Sequence, residues 1–226
     1  MSASSPSNPA RNGLNLDRIR KKWSGQTVVC IASGPSLTKE DCELVRDAGL
    51  RTVVVNTSFR LALWADALYA MDAAWWSFYG PEAFQSFTGE FWSHVRVERC
   101  YPTKGLLYPQ GFGNSGSYAI SLAIVAGASR VLLLGYDCKV NGEKRHWHAD
   151  HPKKMGNANS IGRWPYHFEL IAKYAQSRNV KVVNCSRDTA LSCFQKNSLE
   201  EELGCFYQET SSGNLATSTE LGQSSL

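Results

Sequence analysis

Three of the five histidines in this 226-residue chain fall within six positions, in Arg145-His146-Trp147-His148-Ala149-Asp150-His151-Pro152. Imidazole is the side chain whose ordinary pKa lies nearest neutrality, so this stretch can supply a general base while its neighbours bind substrate charge. Imidazole is also a common zinc ligand, and a single zinc on His146, His148 and His151 is the alternative chemistry. A solvated basic loop is the plain alternative to both. We expect a base, His148 or His151, and no metal centre.

Two further stretches are suited to anions. Ala32-Ser33-Gly34-Pro35-Ser36-Leu37 follows a β-branched run directly, and Gly111-Phe112-Gly113-Asn114-Ser115-Gly116-Ser117 precedes an apolar run of helical length. Glycine lets a ligand approach the backbone closely, and small hydroxyl side chains at a helix N-terminus suit a phosphate or a ribose. Neither stretch is GxGxxG or a P-loop, and each has a plainer reading as a turn with a capping residue. Ser33, Gly34, Pro35, Ser36, Asn114, Ser115 and Gly116 are thus candidates for nucleotide binding. Polar residues end other apolar runs: Asn56 after VVV, Asp72 after YAM, Gly135-Tyr136-Asp137 after VLLL and Asn184 after VKVV.

The elements that must position these residues alternate. The pattern predicts strands at 27–32, 52–55, 67–71, 130–134 and 180–183, with a weaker one at 94–98. It predicts helices at 37–48, 58–64, 117–126 and 164–177. Strands rich in Val, Ile and Leu without polar alternation suit burial on both faces. The fold expected is therefore α/β: a doubly wound, mainly parallel Rossmann-like sheet with helices on both faces. Such sheets bind ligands at the carboxyl ends of their strands, where the polar residues above would sit.

Composition bounds the rest. With 43% hydrophobic and 19% charged residues the chain can build a core. Residues 1–13 and 207–226 are Ser/Pro/Asn-rich or short of large apolar side chains, so loose ends are expected around a single domain at 14–206. No apolar run approaches the roughly 20 residues of a membrane span, and no secretory h-region is visible. Seven scattered cysteines without CxxC spacing suggest reduced thiols and a cytoplasmic setting. A formal charge of +4 suits a phosphorylated ligand without marking a nucleic-acid stripe.

His146-x-His148-x-Asp150-His151 also matches the HxHxDH signature of metallo-β-lactamase-fold hydrolases. That family needs further His and Asp ligands well downstream, whereas the only later histidine is His167, and the preceding βα pattern is wrong for it. A closer resemblance rests on several segments together: ASGPSL after the first strand, Ala65-Asp66 with Asp72, Asn114-Ser115-Gly116 opening a helix, and Gly127-Ala128 with Val131 through Asp137. Over about residues 26–195 the chain resembles a Rossmann-like superfamily. It includes the 6-hydroxymethylpterin diphosphokinase MptE-like proteins (domain of unknown function 115) and the small bacterial sialyltransferases, with short members in bacteriophages.

The sialyltransferase side of that resemblance implies a transferase using a nucleotide-activated sugar. The donor nucleotide would lie on Gly34, Pro35 and Ser36, with Asn56 and Asp72 on the ribose or sugar side. Ser115 and Gly116 would lie near base or phosphate, and Tyr136 near the nucleotide. Asp137 and a histidine of the following loop would be the catalytic groups. No cofactor is obligatory on this reading, and the acceptor is left open. Ser33 stands where sialyltransferases tend to have Asn. The diphosphokinase side implies a nucleoside triphosphate donor and Mg²⁺ held by carboxylates, yet Asp72 is followed by Ala73-Ala74-Trp75-Trp76 rather than a second Asp. A non-catalytic nucleotide-binding module is the third expectation. Homo-oligomers stay open, and a phage member would work in the host cytoplasm.

Overall fold

In the computed structural model the residues described are 19, 22–94, 96–106, 112–152, 155 and 160–204. In chain order they form β1 (Thr27–Ile31), α1 (Lys39–Asp47), β2 (Arg51–Val55), a 3₁₀ segment (Asn56–Leu61), β3 (Ala67–Tyr69) and α2 (Ala73–Ser86). Then come β4 (Glu90–His94), β5 (Lys104–Leu106), α3 (Ser115–Val125), β6 (Arg130–Leu134), a 3₁₀ turn (Ile161–Arg163), α4 (Trp164–Ser177), β7 (Lys181–Asn184) and β8 (Gln195–Lys196). The eight strands make one sheet in the order β5-β4-β3-β2-β1-β6-β7-β8. Every neighbouring pair is parallel.

Both faces of the sheet are covered, which is why its strands carry apolar residues at consecutive positions. Side chains alternate between faces along a strand. Val28 and Cys30 pack with α3 and α4 around Ile120, Leu122 and Ile171. Val29 and Ile31 pack on the other face with Cys42 and Val45 of α1 and Trp75 and Trp76 of α2. Burial of a side chain such as Val or Ile stabilises by about 1.5–3 kcal/mol, and the central strands β1 and β6 are buried at nearly every position. A capping box fixes the start of α1: the Thr38 hydroxyl accepts from the Asp41 N–H, and the Asp41 carboxylate accepts from the Thr38 N–H.

The order of strands creates the site. From β1 the chain runs outward through β2, β3, β4 and β5, then returns to place β6 on the other side of β1. The loops leaving β1 and β6 therefore diverge, and a crevice opens at their carboxyl ends.

The expected sheet and its helices on both faces are present, with local differences. The helix expected at 58–64 is the 3₁₀ segment Asn56–Leu61. The weak strand expected at 94–98 is displaced: β4 is Glu90–His94, and 96–100 are turn. Helix α2 was not legible because Gly80 and Pro81 fall in its middle, and both weaken a helical reading. β5 and β8 have three and two residues, too few to show a pattern. Gly111 and both ends expected to be loose lie outside the described residues. No helix among the described residues is long and apolar enough to cross a membrane.

Candidate functional site

The floor of the crevice is a junction between the loops after β1 and β6. Gly34 N–H donates to the Gly135 carbonyl at 2.8 Å. Asp137, 1% exposed, accepts from both the Ser36 N–H and the Ser36 hydroxyl, each at 2.7 Å. Burial raises the Asp137 carboxyl above its ordinary value, against the opposing pull of the two Ser36 bonds. A Cβ on Gly34 would lie 2.3 Å from Asp137 Oδ1 and 2.5 Å from the Gly135 carbonyl oxygen. Protein packing by itself thus requires glycine here, a need the sequence suggested for the approach of a phosphate. Asp137 joins two loops, so the geometry gives it a positioning task where a catalytic one was expected. Ser36 belongs to this junction, and neither Pro35 nor Ser36 lines the cleft.

Above the junction is a solvent-open cleft of about 640 Å³. Of the expected nucleotide-binding residues, Ser33, Gly34, Asn56, Asn114, Ser115, Gly116 and Tyr136 line it. Tyr136 is a buried wall residue whose hydroxyl donates to the Gly116 carbonyl at 3.0 Å. The Ser115 hydroxyl accepts from the Met71 N–H at 3.0 Å, tying the end of β3 to the start of α3. Asn114 is the N-cap of α3: its Oδ1 accepts from the Ser117 N–H at 2.9 Å, which fixes the amide so that Nδ2 is left over.

Three buried polar atoms around this cleft have no protein hydrogen-bond partner: Asn56 Oδ1, Asn114 Nδ2 and His146 Nε2. Asn56 also sits at φ 51°, in the left-handed region that asparagine tolerates better than most residues. An unsatisfied buried polar group costs about 1–3 kcal/mol. An amide oxygen, an amide nitrogen and an imidazole nitrogen held in this way suit a polar ligand seated between them.

The histidine loop forms one wall. It is pinned to the first loop through Trp147, whose N–H donates to the Ser33 carbonyl and whose indole Nε1–H donates to Ser58 Oγ, each at 3.1 Å. Ser58 in turn donates to the Ala32 carbonyl at 2.9 Å and lies 3.0 Å from Ser33 Oγ. The three imidazoles cluster, with ring centroids 5.0–5.3 Å apart. Burial, with the neighbouring imidazoles adding to it, pushes the His146 and His151 pKa values down to about 4. Burial also lowers His148. All three are therefore neutral at pH 7. His148 Nδ1 lies 2.6 Å from the Ala149 carbonyl, which can only accept, so Nδ1 carries the proton and Nε2 is a lone-pair acceptor. His151 Nδ1 shares a 2.8 Å hydrogen bond with the Tyr79 hydroxyl. Arg60 lies over the Tyr79 ring at 5.3 Å and is itself held by both Glu82 oxygens.

His146 and His148 are near-parallel plates, 8° apart. Among the described residues no group of three His, Cys, Asp or Glu side chains is arranged to hold a metal ion.

A second cavity, of about 1350 Å³ including its open mouth, adjoins the first and shares Asn56, Asn114, Ser115, His146, His151 and Trp164 with it. Asp72 lines only this second cavity. Of the two expected base candidates, His151 lines both cavities and His148 neither; His146, expected only as an alternative metal ligand, lines both. Sequence reasoning also missed Lys139 and Arg145, the cations of the first cleft, and the aromatic walls Trp164 and Phe168. A basic residue two positions after Asp137, and another directly before the first histidine, were the signals present.

No protein-family model matches the sequence, and no curated protein matches it. Solved structures similar to the chain include UDP-glucose 4-epimerase from Brucella ovis in complex with NAD, at 15% identity and TM-score 0.32 over 71% of this chain and 51% of that one. A UDP-galactose 4-epimerase follows at 14% identity and TM-score 0.30, over 70% of this chain and 54% of that one. A Serratia marcescens short-chain dehydrogenase/reductase has 11% identity and TM-score 0.24, over 72% and 74%. The chain spans about half the length of the two epimerases. The likeness is one of α/β architecture alone.

Proposed function

We propose that this chain is a transferase that seats a nucleotide-activated donor in the cleft above β1 and β6 and activates an acceptor hydroxyl with a neutral histidine. The observation that supports it is the set of unpartnered buried atoms, Asn56 Oδ1, Asn114 Nδ2 and His146 Nε2, on residues that line one cleft at the point where the strand order reverses. A nucleobase presents matching donors and acceptors on one edge. Lys139 and Arg145 at the same cleft suit the donor's phosphate.

In the sialyltransferase-like form of this reading, the acceptor oxygen attacks the anomeric carbon of the donor sugar as the bond to the nucleotide phosphate breaks. The proton of the acceptor hydroxyl passes to an imidazole Nε2 lone pair on the wall shared by the two cavities. Neutral imidazoles are the competent form, and burial keeps them neutral. The departing phosphate carries the negative charge toward Lys139 and Arg145. No metal is obligatory.

A magnesium-dependent diphosphokinase would hold its ion on carboxylates. Among the described cavity residues only Asp72 offers one, because Asp137 is occupied by Ser36. That favours the glycosyltransferase-like reading over its runner-up. Titration calorimetry with CMP-, UDP- and GDP-sugars and with ATP, each with and without Mg²⁺, tests the choice. The expected result is binding of one nucleotide sugar independent of Mg²⁺, with transfer or slow hydrolysis of the sugar. Mg²⁺-dependent binding of ATP alone would replace this reading with the diphosphokinase, and tight nucleotide binding without any turnover would leave a non-catalytic module.

A further inference from the structure

The second cavity has a composition unlike the first. Its distinctive residues are Met71, Asp72 and Arg163, with His146 and Trp164 on the shared wall. Asp72 occupies the N-cap position of α2, where aspartate ordinarily caps the helix, yet its side chain makes no capping hydrogen bond. The carboxylate stands at the cavity mouth instead, and the surrounding protein raises its pKa above the ordinary value by desolvation. Arg163 occupies the N-cap position of α4, whose first turn has no acidic residue. A cation at a helix N-terminus opposes the helix dipole. Arg163 nonetheless has no ion-pair partner among the described residues. A carboxylate and a guanidinium thus face one cavity without meeting each other, each set against its local helix preference.

The aromatic wall completes the chemistry. Trp164 is half-buried between the two cavities, and its indole N–H donates to Ser160 Oγ at 3.0 Å, which fixes the ring. A fixed indole face packs well against the C–H face of a sugar ring. Asp72 and the His146 Nε2 lone pair accept hydrogen bonds from hydroxyls, and Arg163 answers a carboxylate or phosphate.

We infer that the second cavity takes a small polyhydroxylated ligand bearing one anionic group, a sugar acid or a sugar phosphate, oriented by Arg163 and Asp72 across the Trp164 face. Calling this ligand the acceptor rests on the transferase reading above; its chemical class does not. An acceptor hydroxyl held at Asp72 and His146 lies on the wall between the cavities, where the donor's anomeric carbon would be presented.

Titration of the full chain with glucuronate, glucose 6-phosphate, glucose and inorganic phosphate, at one ionic strength, tests the assignment. The expected result is that at least one of the two charged sugars binds about fivefold or more tightly than glucose and than inorganic phosphate. Preference for glucuronate assigns the anion as a carboxylate, and preference for glucose 6-phosphate as a phosphate. Arg163→Gln should erase the advantage over glucose and Arg163→Lys should keep part of it, while Asp72→Asn should weaken binding of glucose as well. Equal binding of charged and neutral sugars, a preference that survives Arg163→Gln, or inorganic phosphate binding as tightly as glucose 6-phosphate would each overturn the inference. CMP, UDP and ATP are titrated into the wild-type chain alongside. Nucleotide binding with no sugar binding sinks this inference alone; charged-sugar binding with no nucleotide binding sinks the transferase reading and leaves the inference standing.

Discussion

The same residue type does different work at neighbouring positions, and distances decide which. Gly34 was readable as a residue that must be small, but sequence spacing assigns that need to a ligand, whereas the contact is with Asp137 and Gly135. Gly34→Val should therefore lower stability by about 1–3 kcal/mol in urea unfolding, together with any loss of nucleotide affinity. A variant as stable as the wild type would return Gly34 to the ligand. Asp137→Ala should likewise cost about 1–3 kcal/mol, because it leaves the Ser36 N–H and hydroxyl without the acceptor they share. Among the histidines, position in the cavity decides. His146→Ala should lower turnover by roughly 10²–10⁴-fold with little change in donor affinity for the rest of the cleft, whereas His148→Ala, lining neither cavity, should cost well under tenfold. Equal losses from the two would place the base elsewhere on the loop. That His146 lines both cavities was hidden in sequence, since nothing in the spelling HWHADH says which imidazoles border them.

At the scale of elements, the periodic parts were legible and the irregular parts were not. β1, β2, β6 and α4 follow from long apolar or amphipathic runs, and their bounds differ little from expectation. β4 was displaced because Phe91 and Trp92 precede a Ser-His pair that ends the strand, and the following Val97 reads as strand while sitting in a turn. The histidine loop is held by hydrogen bonds to Ser33 and Ser58, which no local pattern announces. Its burial has a pH signature. The folded-state pKa values of His146 and His151, about 4, lie below the ordinary 6.5, so the unfolded chain binds more protons between those values. Stability from these two groups is therefore present above about pH 6.5 and lost as pH falls through 6.5 toward 4. Denaturant midpoints measured from pH 7.5 to 4 should decline over that window, and the decline should be shallower in His146→Gln and His151→Gln. The same direction moves the activity profile. A base with an ordinary imidazole pKa would lose activity below about pH 6.5, but these should hold activity nearly level to pH 5 and lose it toward 4. A midpoint near 6.5 would mean that the loop opens to solvent in the working enzyme.

The whole molecule separates what holds the sheet from what works at its rim. Two imidazoles, His146 and His151, line both the cleft above β1 and β6 and the second cavity, and metal analysis of the purified chain should find less than one equivalent of zinc. A full equivalent lost equally from the His146, His148 and His151 alanine variants would instead make the cluster a metal centre. At the opposite end of the sheet, Arg130 at the start of β6 pairs with Glu202, whose side chain is 3% exposed, and so fastens the helical turn at 199–204. Leu199 and Leu203 from that turn complete the core face shared with α1 and α2. Arg130 begins the strand whose far end carries Gly135 and Asp137, so the pair is a full strand length from the candidate site. Glu202→Gln leaves the Arg130 guanidinium largely buried without its counter-charge, a change that costs about 3 kcal/mol where such pairs are broken. The variant should unfold at lower urea by that amount while nucleotide and sugar affinities measured well below its midpoint stay within twofold of the wild type. Affinity lost in proportion to stability would show that the rim is not rigid on its own, and that the sheet's lower end must be locked before the cleft above β1 and β6 takes its shape.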